Sequence, residues 1–144
     1  MMRVLVVEDE EMIRKGIVLA TDWQSLGCVV VGEAANGEEG IAQAEKCRPS
    51  LIITDLKMPK MDGLEMIAKL REAGCDVLGM VAIFTYGFPT AAENFAGADV
   101  KLDTLSDYKT MIELAAKQGY VHEDELQTLQ QWRRDPANWK KSAQ

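Results

Sequence analysis

Leu51-Ile52-Ile53-Thr54-Asp55-Leu56-Lys57-Met58-Pro59-Lys60-Met61-Asp62-Gly63 is the stretch on which the fold turns. Its first four residues form a short apolar run. A strand covered on both faces reads that way, because neither set of alternating side chains meets water. The run ends on a carboxylate, Asp55. Pro59 then marks a turn, and Asp62 stands where an N-cap belongs, with Gly63 just inside the helix that follows. A buried strand that ends on an acid and turns into a helix is the first half of a βαβ unit. Open parallel sheets bind their ligands at the carboxyl ends of such strands.

Outward from this segment the same pattern repeats. Apolar runs at 4–7, 28–31, 51–54, 77–85 and 100–105 predict five strands. Between them lie helical stripes: Met12, Ile13, Ile17, Ala20 and Trp23; Ile41, Ala44 and Cys47; Leu64, Ile67 and Leu70; Ala91, Ala92 and Phe95; Met111, Ile112 and Ala115. Asn36-Gly37 marks the turn into the second helix, Ser106 or Asp107 can cap the fifth, and Gly119 ends it. A sixth helix is predicted at 123–134. Val121 and Leu126 bracket an N-cap at His122 with Glu125 at the third position. Leu126, Leu129 and Trp132 would face the body, and Asp135-Pro136 stops the helix. Strand–helix alternation with right-handed crossovers predicts a three-layer α/β/α, doubly wound, flavodoxin-like domain. It would have a five-stranded parallel sheet and an extra C-terminal helix. One domain is expected over 1–144, with 140–144 as a loose tail.

The 144 residues can bury a core without staples. Sixteen basic residues against 23 acidic ones give a net charge of −7, which repels phosphate backbones and argues against nucleic acid as a partner. Cys28, Cys47 and Cys75 have no metal-type spacing and read as small apolar fillers in a reducing compartment. A single histidine, His122, excludes sites that need two imidazoles. No apolar run approaches the ~20 residues of a membrane span, and the early acids Glu8 and Asp9 do not suit a signal peptide. A cytoplasmic protein without membrane contacts is expected.

Three strand ends carry residues able to do chemistry. The first strand ends at Glu8-Asp9, the third at Asp55, the fourth at Thr85-Tyr86-Gly87. If the first and third strands are neighbours, three carboxylates converge. Their repulsion is relieved by a hard divalent cation, and oxygen ligands suit magnesium. One carboxylate can then attack a phosphoryl group and form an aspartyl phosphate, the metal neutralising the phosphoryl oxygens. The same acids could instead only cap helices or solvate loops.

From 2 to 72 the chain resembles the receiver domain of bacterial two-component response regulators. The residues that carry the likeness are Val4-Leu5-Val6-Val7-Glu8-Asp9-Glu10, Gly32-Glu33-Ala34-Ala35-Asn36-Gly37-Glu38-Glu39, and Asp55-Leu56-Lys57-Met58-Pro59 followed by Met61-Asp62-Gly63. The resemblance implies Asp55 as phosphoacceptor, with Glu8, Asp9, the Asp55 carboxylate and the Lys57 carbonyl around magnesium. It implies Thr85 as the switch hydroxyl and a histidine kinase or a small phosphodonor as partner. It implies a monomeric signalling module rather than an enzyme. A receiver's fifth strand ends in Lys-Pro. An ungapped alignment on Gly97-Ala98-Asp99 puts Thr104-Leu105 there, and Lys101 lies too low in the sheet to substitute. Without that cation the phosphoryl group loses a charge-assisted contact, so signalling is expected to be disabled.

From 70 to 139 the chain resembles the C-terminal part of a bacterial orotate phosphoribosyltransferase. Gly79-Met80-Val81-Ala82-Ile83-Phe84-Thr85-Tyr86-Gly87-Phe88-Pro89, Leu105-Ser106-Asp107-Tyr108 and Leu129-Gln130-Gln131-Trp132-Arg133-Arg134-Asp135-Pro136 carry it. That family's phosphate loop, two acids followed after two residues by Thr-Gly-Gly-Ser, is absent. Glu8-Asp9 leads instead into Glu10-Glu11-Met12-Ile13-Arg14, so no transferase residue carries over and a transferase fragment is the weakest reading. The halves, 1–73 and 74–139, join near Leu70-Arg71-Glu72-Ala73-Gly74, an element boundary in both families. This points to an engineered chimera, either with an inherited phosphoacceptor pocket or as a fold-recombination scaffold without activity. Side chains that did not co-adapt predict loose packing around Leu70, Val77 and Ile83.

Overall fold

A computed structural model of the chain describes residues 1–139. The predicted tail, 140–144, lies outside the described residues. Five strands and six helices alternate as expected, and the chain divides into two compact units, Met1–Val77 and Leu78–Gln144.

The first unit holds β1 (Met2–Val7), α1 (Glu11–Ala20), β2 (Cys28–Ala34), α2 (Gly37–Cys47), β3 (Leu51–Thr54) and α3 (Gly63–Glu72). Its sheet is parallel in the order β2-β1-β3, so β1 is central. That position explains its unbroken apolar run: Val4, Leu5, Val6 and Val7 are all fully buried. Leu5 and Val7 build the core with Ala34, Ala44, Met58, Met66 and Leu70, and Val77 packs against it. β2 runs three residues past its apolar stretch. The β1–β2 register slips between Val4 and Leu5, so Leu5 faces Gly32 rather than Val31. A Cβ on Gly32 would stand 3.2 Å from Leu5 Cδ1. Helices open at the predicted turn Asn36-Gly37 and at the predicted cap Asp62. Asn36 accepts from Glu39 N–H at 3.0 Å, and Asp62 from Glu65 N–H at 2.8 Å.

Two expectations change here. The apolar stripe of α1 is not a buried face: Met12 is 83 % exposed, Leu19 is exposed too, and only Ile17 and Val18 are half-buried. Trp23 lies beyond the helix, which ends at Ala20, and its indole N–H donates to the Val18 carbonyl at 2.9 Å. Periodicity had marked a surface able to pack, without reporting what packs on it. Leu70 and Val77, expected in a loose seam, instead belong to this unit's core and its margin.

The second unit holds β4 (Met80–Thr85), α4 (Pro89–Gly97), β5 (Leu102–Asp107), α5 (Tyr108–Lys117) and α6 (Glu123–Arg134). β4 and β5 form a parallel pair. Backbone pairing among the described residues therefore gives a three-stranded and a two-stranded sheet, rather than the one five-stranded ladder read from the sequence. The strand pair buries its Met80, Ala82, Phe84 side in part, while Val81, Ile83 (81 % exposed) and Leu105 on the other side are open. Asp107 caps α5 through Thr110 N–H at 2.8 Å, and the Glu125 carboxylate accepts from His122 N–H at 2.9 Å to open α6 at the predicted residue. No helix among the described residues is long and apolar enough to cross a membrane.

Candidate phosphoacceptor site

The parallel pairing of β1 with β3 sets Val7 beside Thr54. The next residue of each strand is an acid, Glu8 and Asp55, so the two leave adjacent strand ends together, and Asp9 follows Glu8. Asp55 N–H still reaches the Val7 carbonyl at 3.4 Å, extending the ladder one step beyond β3. Asp55 is exposed; Glu8 and Asp9 are half-buried. The predicted convergence of the first and third strand ends is thus a consequence of strand order.

The side chains are engaged locally. The Glu8 carboxylate accepts from Glu10 N–H at 3.2 Å, and Asp55 Oδ1 from Lys57 N–H at 3.4 Å. Among the described residues no three acidic, histidine or cysteine side chains are gathered closely enough to hold a metal ion. For magnesium, the donor chemistry fits, since carboxylate and carbonyl oxygens are what a hard cation takes. Glu8 and Asp55 directly follow the paired residues Val7 and Thr54. The Glu8 and Asp55 carboxylates are turned onto backbone N–H groups.

The loop after Asp55 is pinned at three points. Gly63 N–H donates to the Leu56 carbonyl at 2.9 Å. Met61 lies where a Cβ on Gly37 would meet it at 2.9 Å, so only glycine at the start of α2 admits it. Asp62 and Glu65 form a reciprocal capping box. Lys60, with φ 71°, takes the left-handed turn between them.

Arg14 is a site residue that sequence reasoning missed. From α1 it donates to the Glu8 carbonyl at 2.5 Å, and its guanidinium lies 3.6 Å from the Glu33 carboxylate. It fixes the strand end that carries the acids. Its place one turn into α1 was the available signal. Glu39 titrates below the usual carboxylate range, chiefly because Ala35 N–H donates to it.

In the second unit, Thr85 ends β4 and its hydroxyl accepts from Gly87 N–H at 3.0 Å. β5 ends two residues later than the ungapped alignment placed it. Thr104 is therefore mid-strand, and the terminal residue, in register with Thr85, is Asp107. The strand thus ends on an acid. Lys101 precedes the strand and pairs with Asp103 at 3.0 Å.

The response regulator receiver domain family matches residues 4–100. The chain belongs to that family. Solved receiver domains share its fold. That of AraT, a response regulator from Geobacillus stearothermophilus, is 33 % identical with a TM-score of 0.55 over 81 % of this chain and 91 % of that one. Vibrio cholerae chemotaxis protein CheY4 is 28 % identical with a TM-score of 0.57 over 74 % of this chain and 86 % of that one. The receiver chain also resembles orotate phosphoribosyltransferases. It is 39 % identical over 107 residues to that of Bacteroides thetaiotaomicron, covering 72 % of this chain and 50 % of the relative. It is 40 % identical over 115 residues to that of Bacillus caldolyticus, covering 78 % and 56 %. The chain spans about half the length of these curated relatives. Spans of such length cannot fit beside residues 4–100 without overlap, so the receiver and transferase likenesses share the middle of the chain.

Proposed function

We propose that the chain is a receiver-type phosphoacceptor module in which Asp55 takes a phosphoryl group from a histidine kinase or a small phosphodonor. The observation that carries this reading is the β1–β3 register, which delivers Glu8 and Asp55 from neighbouring strand ends. An Asp55 carboxylate oxygen attacks phosphorus in line, the donor's bond to phosphorus breaks, and its electron pair leaves with the donor. Magnesium, when bound by Glu8, Asp9, Asp55 and the Lys57 carbonyl, neutralises the phosphoryl oxygens. Arg14 holds the Glu8 backbone, and the pinned loop presents an exposed Asp55 to the donor. The module is no enzyme, and it works as a cytoplasmic monomer.

Transmission is disabled in this reading because β5 ends on Asp107, which cannot supply the cationic contact. Thr85 stays in the proposal as a switch hydroxyl on sequence grounds alone, as do the single-domain organisation and the doubly wound five-stranded layout. The presence of receiver and transferase likenesses in one chain supports a chimera of two α/β architectures. A fold-recombination scaffold without activity is the second reading. A phosphoribosyltransferase fragment is the weakest, since no Thr-Gly-Gly-Ser loop follows any acidic pair.

The test is ¹⁹F NMR with beryllofluoride and magnesium. Bound fluoride resonances are expected, and Asp55→Asn should abolish them. A folded sample without bound resonances would leave the scaffold reading in its place.

A further inference from the structure

We propose that α6 is a strap on the loop after β4, in which Arg133 is a positioning residue that fixes the Thr85 hydroxyl and keeps the loop from answering a phosphoryl group at Asp55. The signalling part of Thr85 rests on the receiver reading; the strap itself does not. Its parts all lie in the second unit, and α6 stands beyond residues 4–100, which the receiver family matches.

The strap is anchored at its root. Tyr108, buried at the start of α5, donates its hydroxyl to the Leu129 carbonyl of α6 at 3.3 Å, and its ring packs on Trp132 at 5.4 Å. Trp132 in turn meets the Tyr86 ring at 5.9 Å and the Phe88 ring at 6.4 Å. Tyr86 stacks on Phe88 at 5.7 Å with planes 7° apart, and meets Phe84 edge-on at 5.2 Å. The rings on either side of Gly87 are thus held against the helix.

Arg133 closes the strap. Its Nε donates to the Tyr86 carbonyl at 3.0 Å and its Nη2 to the Gly87 carbonyl. Both bonds are charge-assisted, and the planar fork of a guanidinium is suited to two carbonyls at once. Gly87 has φ 67°, and a Cβ there would stand 3.0 Å from Arg133 Nη2, so the glycine both makes the turn and admits the arginine. On the other side, Gly87 N–H donates to Thr85 Oγ1 at 3.0 Å. The peptide plane between Tyr86 and Gly87 is therefore held at both ends, its carbonyl by Arg133 and its N–H by Thr85. Because that plane is rigid, fixing the carbonyl fixes the direction of the N–H. The N–H then selects one of the three staggered wells open to the Thr85 hydroxyl. To swing toward a new acceptor, Thr85 must leave Gly87 N–H unpaired or turn a peptide that Arg133 holds.

The test is NMR on the full chain labelled with ¹³C and ¹⁵N, where three-bond couplings from Thr85 Cγ2 to its own N and carbonyl carbon report the side-chain rotamer. The unaltered chain should show one rotamer, unchanged when beryllofluoride and magnesium occupy Asp55. In Arg133→Ala the couplings should average, Gly87 amide exchange should rise about ten-fold, and beryllofluoride should then move Thr85. Arg133→Lys keeps the stem and the charge but replaces the fork by one ammonium, and should fall between the two. Arg134→Ala, the exposed neighbour, should match the unaltered chain. Protected α6 amides in Arg133→Ala separate release of the loop from melting of the helix; if they are lost, Arg133→Lys decides. A single Thr85 rotamer in the deciding variant, or a Thr85 that swings on beryllofluoride with Arg133 in place, would overturn the proposal. Absence of bound fluoride resonances refutes the phosphoacceptor reading instead, and the couplings measured without ligand still decide the strap.

Discussion

Replacing Leu5 by alanine should expose how the first unit's core is closed, and the structure supplies a partner mutation that tests the explanation. Leu5 is fully buried, and one of its methyls lies 3.2 Å from where a Cβ on Gly32 would sit. The substitution removes three carbons. At ~0.8 kcal/mol per buried methylene, plus a term for the space left, the loss is about 3 kcal/mol. Gly32→Ala alone forces a methyl against Leu5 Cδ1 and should cost about 1 kcal/mol. With Leu5 shortened, the closest remaining neighbours are Gln43 Oε1 at 3.4 Å and Cys47 Sγ at 3.5 Å, which are ordinary contacts. The same methyl then partly fills the void and stiffens the strand, recovering about 1 kcal/mol. The two changes should therefore couple by about 2 kcal/mol in favour of the double variant. Urea unfolding followed by Trp23 emission, with Trp132 and Trp139 replaced by phenylalanine, measures all four corners. Additivity within about 0.5 kcal/mol would mean that the Leu5–Gly32 contact does not close the core.

Asp62→Ala should destabilise the first unit by about 1 kcal/mol through the lost cap on α3, read by urea denaturation, while Asp62→Asn should lose far less. Asp107 titrates below the ordinary carboxylate range, because Thr110 N–H and then its hydroxyl donate to it. The folded form thus favours the ionised acid. Its contribution is present above an unfolded value near 3.8 and is lost as pH falls through the lower folded one. Amide exchange at Thr110 should accelerate over that acid range and lose its pH dependence in Asp107→Asn. Arg133→Ala should free the loop after β4, raising amide exchange at Gly87 and Phe88.

Much of the architecture was legible because local chemistry and tertiary role coincide. Asp62 and Asp107 cap the helices they were assigned to, and Asn36 caps the helix that follows its predicted turn, since a cap is made within four residues of sequence. The apolar run of β1 was read as a strand covered on both faces, and the strand order β2-β1-β3 puts it in the middle. The acidic strand ends were legible as candidates, and their adjacency then depended only on strand order. What failed is what sequence periodicity does not encode. The stripe on α1 marked a face able to pack but not whether anything packs there. The end of β5 was misplaced by two residues because Ser106 and Asp107 are polar yet still pair with β4. Arg14 and Arg133 went unread because both act on backbone carbonyls, and a carbonyl has no sequence signature.

The loop that follows Asp55 is held by Leu56, by the glycine-faced seat of Met61 and by the Asp62 box. A slack loop of the same length would have to freeze on meeting an anion, at about 1–2 kcal/mol for each residue ordered. Here that disorder is already gone before any ligand arrives. On the proposed phosphoacceptor reading, ordering of this loop should add little to the activation entropy of acyl-phosphate formation at Asp55.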